Sequence, residues 1–172
     1  MDKIPVSTLQ FAVYENKTSF LGISKVTLPD IKYLTSEISG AGIAGKIESI
    51  LTGQLEAMTL GLEFSSQTEN AMKLVEPCTH KLDLMVASQD ENISTREIVV
   101  QADKHVFVVV PKSLSGGTIQ AATPQSASGS YAVRYWAYYR EGKKITEIDP
   151  MNGICIINGK DYMAKVNAAL GR

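Results

Sequence analysis

Hydrophobic and polar residues alternate along much of this chain, and a two-residue repeat marks a strand with one covered face. Met58, Leu60, Leu62 and Phe64 sit two apart at the end of the run 55–64, and Leu82, Leu84 and Val86 repeat the pattern. After a turn at DENIS (90–94), Ile98, Val100 and Ala102 face one way while Glu97, Gln101 and Asp103 face the other. Two further apolar runs, LQFAVY (9–14) and FLGISKVTL (20–28), are separated by the turn-forming ENKT. The run HVFVVV (105–110) is apolar on both faces, which suits a central strand or one covered by a partner. In SYAVRYWAYYREG, alternation places Tyr131, Val133, Tyr135, Ala137 and Tyr139 on one face and Arg134, Trp136, Tyr138 and Arg140 on the other. The second set is either a half-exposed sheet surface or a candidate subunit interface, since Arg, Trp and Tyr dominate interface hot spots.

The period changes twice. Ser66 with Glu69 three residues on reads as a capping box opening QTENAMKLVEP, in which Ala71, Met72, Leu74 and Val75 form one apolar side and Pro77 closes the helix. A helix of about ten residues needs packing on a sheet to persist. At the C-terminus Asp161 opens a second helix, with Tyr162, Val166, Ala169 and Leu170 at helical spacing. Between the strands lie a Ser/Gly/Ala-rich loop at 113–129, a Glu141-Gly142 turn leading into KKITEIDP, and Asn-Gly turns at 152–153 and 158–159. The predicted fold class is α+β and mainly antiparallel β, with one mid-chain helix and a short C-terminal helix. Alternating β and α units are absent, which excludes a doubly wound sheet.

At 172 residues the chain fits a single domain, 1–172. A net charge of −1 argues against a nucleic-acid reader that works through a basic surface. No apolar run is long enough to span a membrane, and MDKIPVSTLQ has none of the basic and apolar regions of a secretion signal, so no membrane anchor and synthesis in the cytoplasm are expected. Cys78 and Cys155 have no metal-type spacing and are expected to be free.

Candidate chemistry is concentrated in SGAGIAGKIE (39–48). Gly40, Gly42 and Gly45 spell G-x-G-x-x-G, and Gly40 to Lys46 spell a Walker A loop without its last residue. A dinucleotide loop needs a buried strand running into the glycines and a helix after them; here the flanks are polar and lead to another strand. A Walker A loop needs Ser or Thr after the lysine, where this chain has Ile47. A nucleotide-binding enzyme is thus the weaker alternative, and the glycines read as the tip of a hairpin or arm at about 39–53. His80 and His105 lie on strands with neither ligand spacing nor a serine elbow, and read as structural. No catalytic, cofactor-binding or metal-binding residue is expected.

Two segments resemble the major tail tube protein of contractile-tailed bacteriophages, FII type, a group that includes the tube proteins of R-type pyocins. The first is KVTLPDIKYLTSEISGAGIAGKIE (25–48). The second is YYREGKKITEIDPMNGICIINGKDYMAKVNAALG (138–171), with Glu-Ile-Asp-Pro-x-Asn-Gly, then Ile-Asn-Gly-x-Asp and a final Leu-Gly. The resemblance implies a β-barrel or sandwich tube subunit that oligomerises through its sheet edges into hexameric rings. The rings stack into the rigid inner tube of a contractile tail. It further implies that Gly40, Gly42 and Gly45 belong to an assembly arm. Implied partners are further copies of the chain, a tail sheath protein, baseplate and tail terminator proteins, and phage DNA in transit without sequence-specific binding. The implied location is the virion tail or a bacteriocin particle, assembled in the host cytoplasm. A type VI secretion-like ring protein is the other tube-forming alternative. Glu97, Gln101 and Asp103 are the candidate lumen face, an acidic wall that would repel phosphates.

Overall fold

A computed structural model describes residues 3–172. Its elements in chain order are β1 (Lys3–Glu15), β2 (Ser19–Phe20), β3 (Ile23–Thr27), β4 (Tyr33–Ile38), β5 (Ile47–Leu55), β6 (Met58–Phe64), α1 (Glu69–Lys73), β7 (His80–Asn92), β8 (Ile98–Ser115), β9 (Ala127–Arg140), β10 (Lys143–Asp149), β11 (Ile154–Ile157), β12 (Lys160–Asp161) and α2 (Ala164–Ala169). The four long strands β1, β7, β8 and β9 lie side by side and antiparallel. Beyond β9 the sheet forks. The first half of β9, Ala127–Val133, pairs with β6, which carries β3. The second half, Trp136–Arg140, pairs with β10, which leads to β11 and β12.

A bulge marks the fork. Val108 pairs with Tyr135 and the next residue, Val109, pairs with Val133, so Arg134 has no opposite number. One extra residue reverses which face every later side chain occupies. Tyr131 and Val133 therefore point into the core together with Trp136, while Arg134 is exposed. This corrects the alternation expected for 131–140: the aromatic segment does not keep one set of residues on one face throughout.

The core lies on the side covered by β6 and α1. Met58, Leu60, Leu62 and Phe64 from β6 meet Val13, Leu82, Leu84, Phe107, Val109, Tyr131 and Trp136 from the long strands, with Ala71 and Leu74 from the helix. Strict period-2 spacing in β6 is what delivers four buried side chains from seven residues. Helix α1 is shorter than expected and starts later. Its N-cap is Thr68, whose Oγ1 accepts from the Ala71 amide at 3.2 Å, so Ser66 is not the cap. At the other end, the Asp161 carboxylate accepts from the Met163 amide at 2.8 Å just before α2.

Strands β4 and β5 form a separate two-stranded sheet. The loop 39–46 is its tip, with Gly42 at φ 89° and Gly45 at φ 120°. The segment expected as a hairpin or arm is a hairpin here, and it is longer than 39–53 because β4 starts at Tyr33.

Candidate assembly surfaces

The hairpin has no hydrophobic layer of its own. Leu34, Ile38, Ile47, Ile50 and Leu51 are all exposed. What holds its two strands together is the ladder itself, with Thr35 Oγ1 donating to Glu48 Oε1 at 2.6 Å and Lys46 pairing with Glu37 at 2.8 Å. An isolated two-stranded ribbon is marginal in water. This one presents apolar side chains that nothing in its own chain covers.

A second surface is the far end of the long sheet. Residues 3–10 of β1, 87–92 of β7 and 98–101 of β8 extend past the last residue of β9 that pairs there, since Asp103 is already opposite Arg140. This three-stranded tongue has two unpaired edges among the described residues. Strand β1 pairs only with β7 until β2 joins at Tyr14, and β8 before Ala102 pairs only with β7. Ile4, Val6, Leu9, Ile98 and Val100 are exposed on it. Pro5 lies in β1, where an edge tolerates a residue without an amide hydrogen. The side of the long sheet away from the core is hollowed to about 1050 Å³. Met85, Val106 and Val108 floor the hollow, and Asp83 sits there beside Lys104. Asp83 Oδ1 lies 3.1 Å from Lys104 Nζ but off the line of a hydrogen bond, so charge rather than a directed bond compensates it.

The core-facing side of the tongue is polar and tied together. Arg140 Nη2 donates to Asp90 Oδ2 at 3.0 Å, with Asp103 near its Nε. Tyr138 Oη and Ser88 Oγ donate to the two oxygens of Asp103 at 3.2 and 3.1 Å. Gln101, with its amide turned to suit its neighbours, donates to Glu141 Oε1 and accepts from Lys3 Nζ. Burial and the adjacent Asp103 raise the Tyr138 phenol above its usual range. Next in line, Trp136 Nε1 donates to His105 Nδ1, and His105 stacks on Tyr138 with ring centres 4.5 Å apart. Burial lowers the His105 imidazole to about 4, against a smaller opposing pull from Asp103. Across the sheet, the Tyr135 phenol donates to Glu147 at 2.7 Å, and Lys144 holds the Glu147 carboxyl below its ordinary range.

Gln101 and Asp103 do share a face, but both are engaged within their own chain and Gln101 is buried. Glu97 lies ahead of β8 in the turn, where its carboxylate accepts from Thr95 Oγ1. The three do not form one free acidic wall. Of the interface candidates, Arg134 is exposed, Trp136 is 7% exposed and fills the core, and Tyr138 and Arg140 belong to the carboxylate network. Sequence patterning missed the two tongue edges, because a free edge depends on how far the neighbouring strands extend. No helix of the described residues is long and apolar enough to cross a membrane.

The family model for phage tail tube protein FII matches residues 7–171 of the chain. In fold the chain is similar to a chain of the sheath/tube terminator of an extracellular contractile injection system, PVC, in the extended state. That match has a TM-score of 0.55 and 15% identity, over 79% of this chain and 97% of that one. A chain of the PVC sheath–tube complex in the extended state is similar at a TM-score of 0.54 and 15% identity, over 78% of this chain and 91% of that one. Among curated proteins nothing matches.

Proposed function

The chain belongs to the phage tail tube protein FII family and is a structural subunit of a tail tube; from that premise we propose that it closes into hexameric rings by joining tongue edges. The observation that carries the proposal is the pair of unpaired edges on opposite sides of one three-stranded unit. Strands β1 and β8 both run antiparallel to β7, so they run the same way. A copy rotated about an axis along the strands brings its β8 edge beside the β1 edge of its neighbour. That contact is head-to-tail, and it closes when the rotation divides a full turn. Closure removes the edges, which in a lone subunit invite aggregation.

The β4–β5 hairpin acts as the assembly arm: its exposed apolar residues are covered by an adjacent copy when rings stack. The stacked tube is a passive conduit without enzymatic activity and works with sheath, baseplate and terminator proteins. The related terminator and sheath–tube assemblies support this reading. Phage DNA passes through the tube without base-specific contacts, and the particle is put together in the host cytoplasm. Negative-stain microscopy of the purified protein over a concentration series tests the reading. Rings or tubes with a regular axial repeat are expected. A chain that stays monomeric at every concentration would refute it.

A further inference from the structure

Besides the assembly surfaces, one cluster brings together a thiol, an imidazole and a carboxylate. Cys78 lies in the turn after α1 and is exposed. Its Sγ is 3.4 Å from Nε2 of His80, the first residue of β7. The other ring nitrogen, Nδ1, is 2.7 Å from Oε1 of Glu15, the last residue of β1. The His80 side chain is 4% exposed and the Glu15 side chain 16%, so the ring is held inside beside a cysteine that is itself an exposed residue.

From this geometry we infer that Cys78 is a nucleophilic thiol, a modification site that reacts with low-molecular-weight disulfides. A carboxylate only accepts, so the proton of the ring sits on Nδ1 and points at Glu15. Nε2 lies 3.4 Å from the thiol sulfur and can take its proton. A proton arriving there finds a second acceptor in place, the Glu76 carbonyl oxygen at 3.1 Å. Nucleophile, base and orienting carboxylate thus stand in the order that thiol activation requires. The set is not a chelate, because Cys78 and Glu15 lie on opposite nitrogens of one ring and cannot converge on a single ion. The other thiol, Cys155 in β11, is 2% exposed and pushed upward by burial, so it has no comparable access.

In the reaction, the Cys78 proton passes to His80 Nε2 and the thiolate attacks one sulfur of the disulfide. A new sulfur–sulfur bond forms at Cys78 and the bond within the reagent breaks. The departing thiolate takes the proton from His80. Cys78 is oxidised and the incoming disulfide is reduced to one thiol, so no further oxidant is needed. Glu15 acts as a positioning residue: it touches neither the sulfur nor the reagent.

The test uses the whole purified chain and dithiodipyridine at pH 7, following thiopyridone release. One fast-reacting thiol per chain is expected, about threefold or more faster than either thiol of the same chain unfolded in urea, with Cys155 silent. Cys78→Ser removes the fast phase. Glu15→Gln keeps an acceptor for Nδ1 but removes the charge, and it slows the fast phase while Cys155 stays silent. A merely structural contact gives the opposite sign, because loosening the turn leaves Cys78 as fast or faster and begins to expose Cys155. A native rate no greater than the unfolded rate overturns the inference, and so does a Glu15→Gln rate that is unchanged or higher in a folded chain. Should Glu15→Gln unfold, the native-against-urea comparison of the unsubstituted chain decides alone.

Discussion

Trp136 on β9 donates its indole hydrogen to Nδ1 of His105 on the neighbouring β8, at 3.2 Å. The bond assigns the imidazole its neutral form, with the remaining ring proton on Nε2. It also explains how a tryptophan can fill the core of a small sheet without an orphaned donor.

The first prediction follows from that neutrality. His105 titrates near 4 in the folded chain against 6.5 ordinarily. Below pH 6.5 the unfolded chain takes up a proton that the folded chain refuses until about pH 4. The stability is therefore full above pH 6.5 and declines as pH falls toward 4, by up to about 3 kcal/mol from this group. Urea unfolding at pH 7 and pH 4.5 measures the decline. Carboxylates also titrate in that range, so the informative comparison is His105→Gln, which retains an acceptor for Trp136 and cannot protonate. Its stability should fall less between the two pH values. An equal fall in both proteins would remove His105 as the cause.

Tyr131 carries the second prediction. Its ring packs over Gly129 and is fully buried, its hydroxyl has no partner, and burial pushes the phenol up to about 12. An unsatisfied buried hydroxyl costs about 1–3 kcal/mol. Tyr131→Phe keeps the packing and removes that cost, so its urea midpoint should rise. A loss of stability would show that the hydroxyl has a partner after all.

Much of this fold is legible in the sequence because a covered sheet face writes its period directly. Met58 to Phe64 and Leu82 to Val86 fall where the alternation puts them, and the glycines of 39–48 do mark a hairpin tip. Parity is what alternation cannot carry across a bulge. Arg134 looks like any other residue of a regular strand, yet it moves Tyr131 and Val133 to the face that Trp136 occupies. Thr68 displaces Ser66 as cap because capping depends on where the backbone first turns helical, and two hydroxyls within three residues compete for the role. The Glu15–His80 contact spans 65 positions and is created by the β1–β7 pairing alone. Nothing local to Cys78 announces it.

The third prediction concerns the tongue. Ile98 is 66% exposed at the start of β8 and lies outside the buried core cluster. Ile98→Lys should leave the unfolding free energy within about 0.5 kcal/mol of the unsubstituted value. Edge lysines oppose strand-to-strand association, so a charge placed at every such contact should stop tube formation. Sedimentation and microscopy at matched concentration check this. Normal tubes from the variant would place the subunit contact elsewhere.

The last prediction returns to the glycines. Gly42 and Gly45 have φ values of 89° and 120°, a region that side-chain-bearing residues rarely enter. A Cβ at either position would meet nothing within 4 Å, so a substitution there clashes with no neighbour and acts through the backbone alone. Valine at each position costs on the order of 1–2 kcal/mol of conformational strain if the loop keeps its path. The hairpin makes no core contact at its tip, and a two-stranded ribbon cannot absorb that cost from its own packing. The tip should instead change its path and carry Ile38 and Ile47, the last paired residues before it, out of register. The double variant Gly42→Val, Gly45→Val is therefore expected to remain soluble, with the β-rich circular dichroism and the urea midpoint of the unsubstituted chain, and to form no tubes. Tubes of normal length and diameter would show that the arm does not need its glycines. Loss of the folded state would instead place the hairpin tip within the cooperative core, which its exposed side chains and separate sheet argue against.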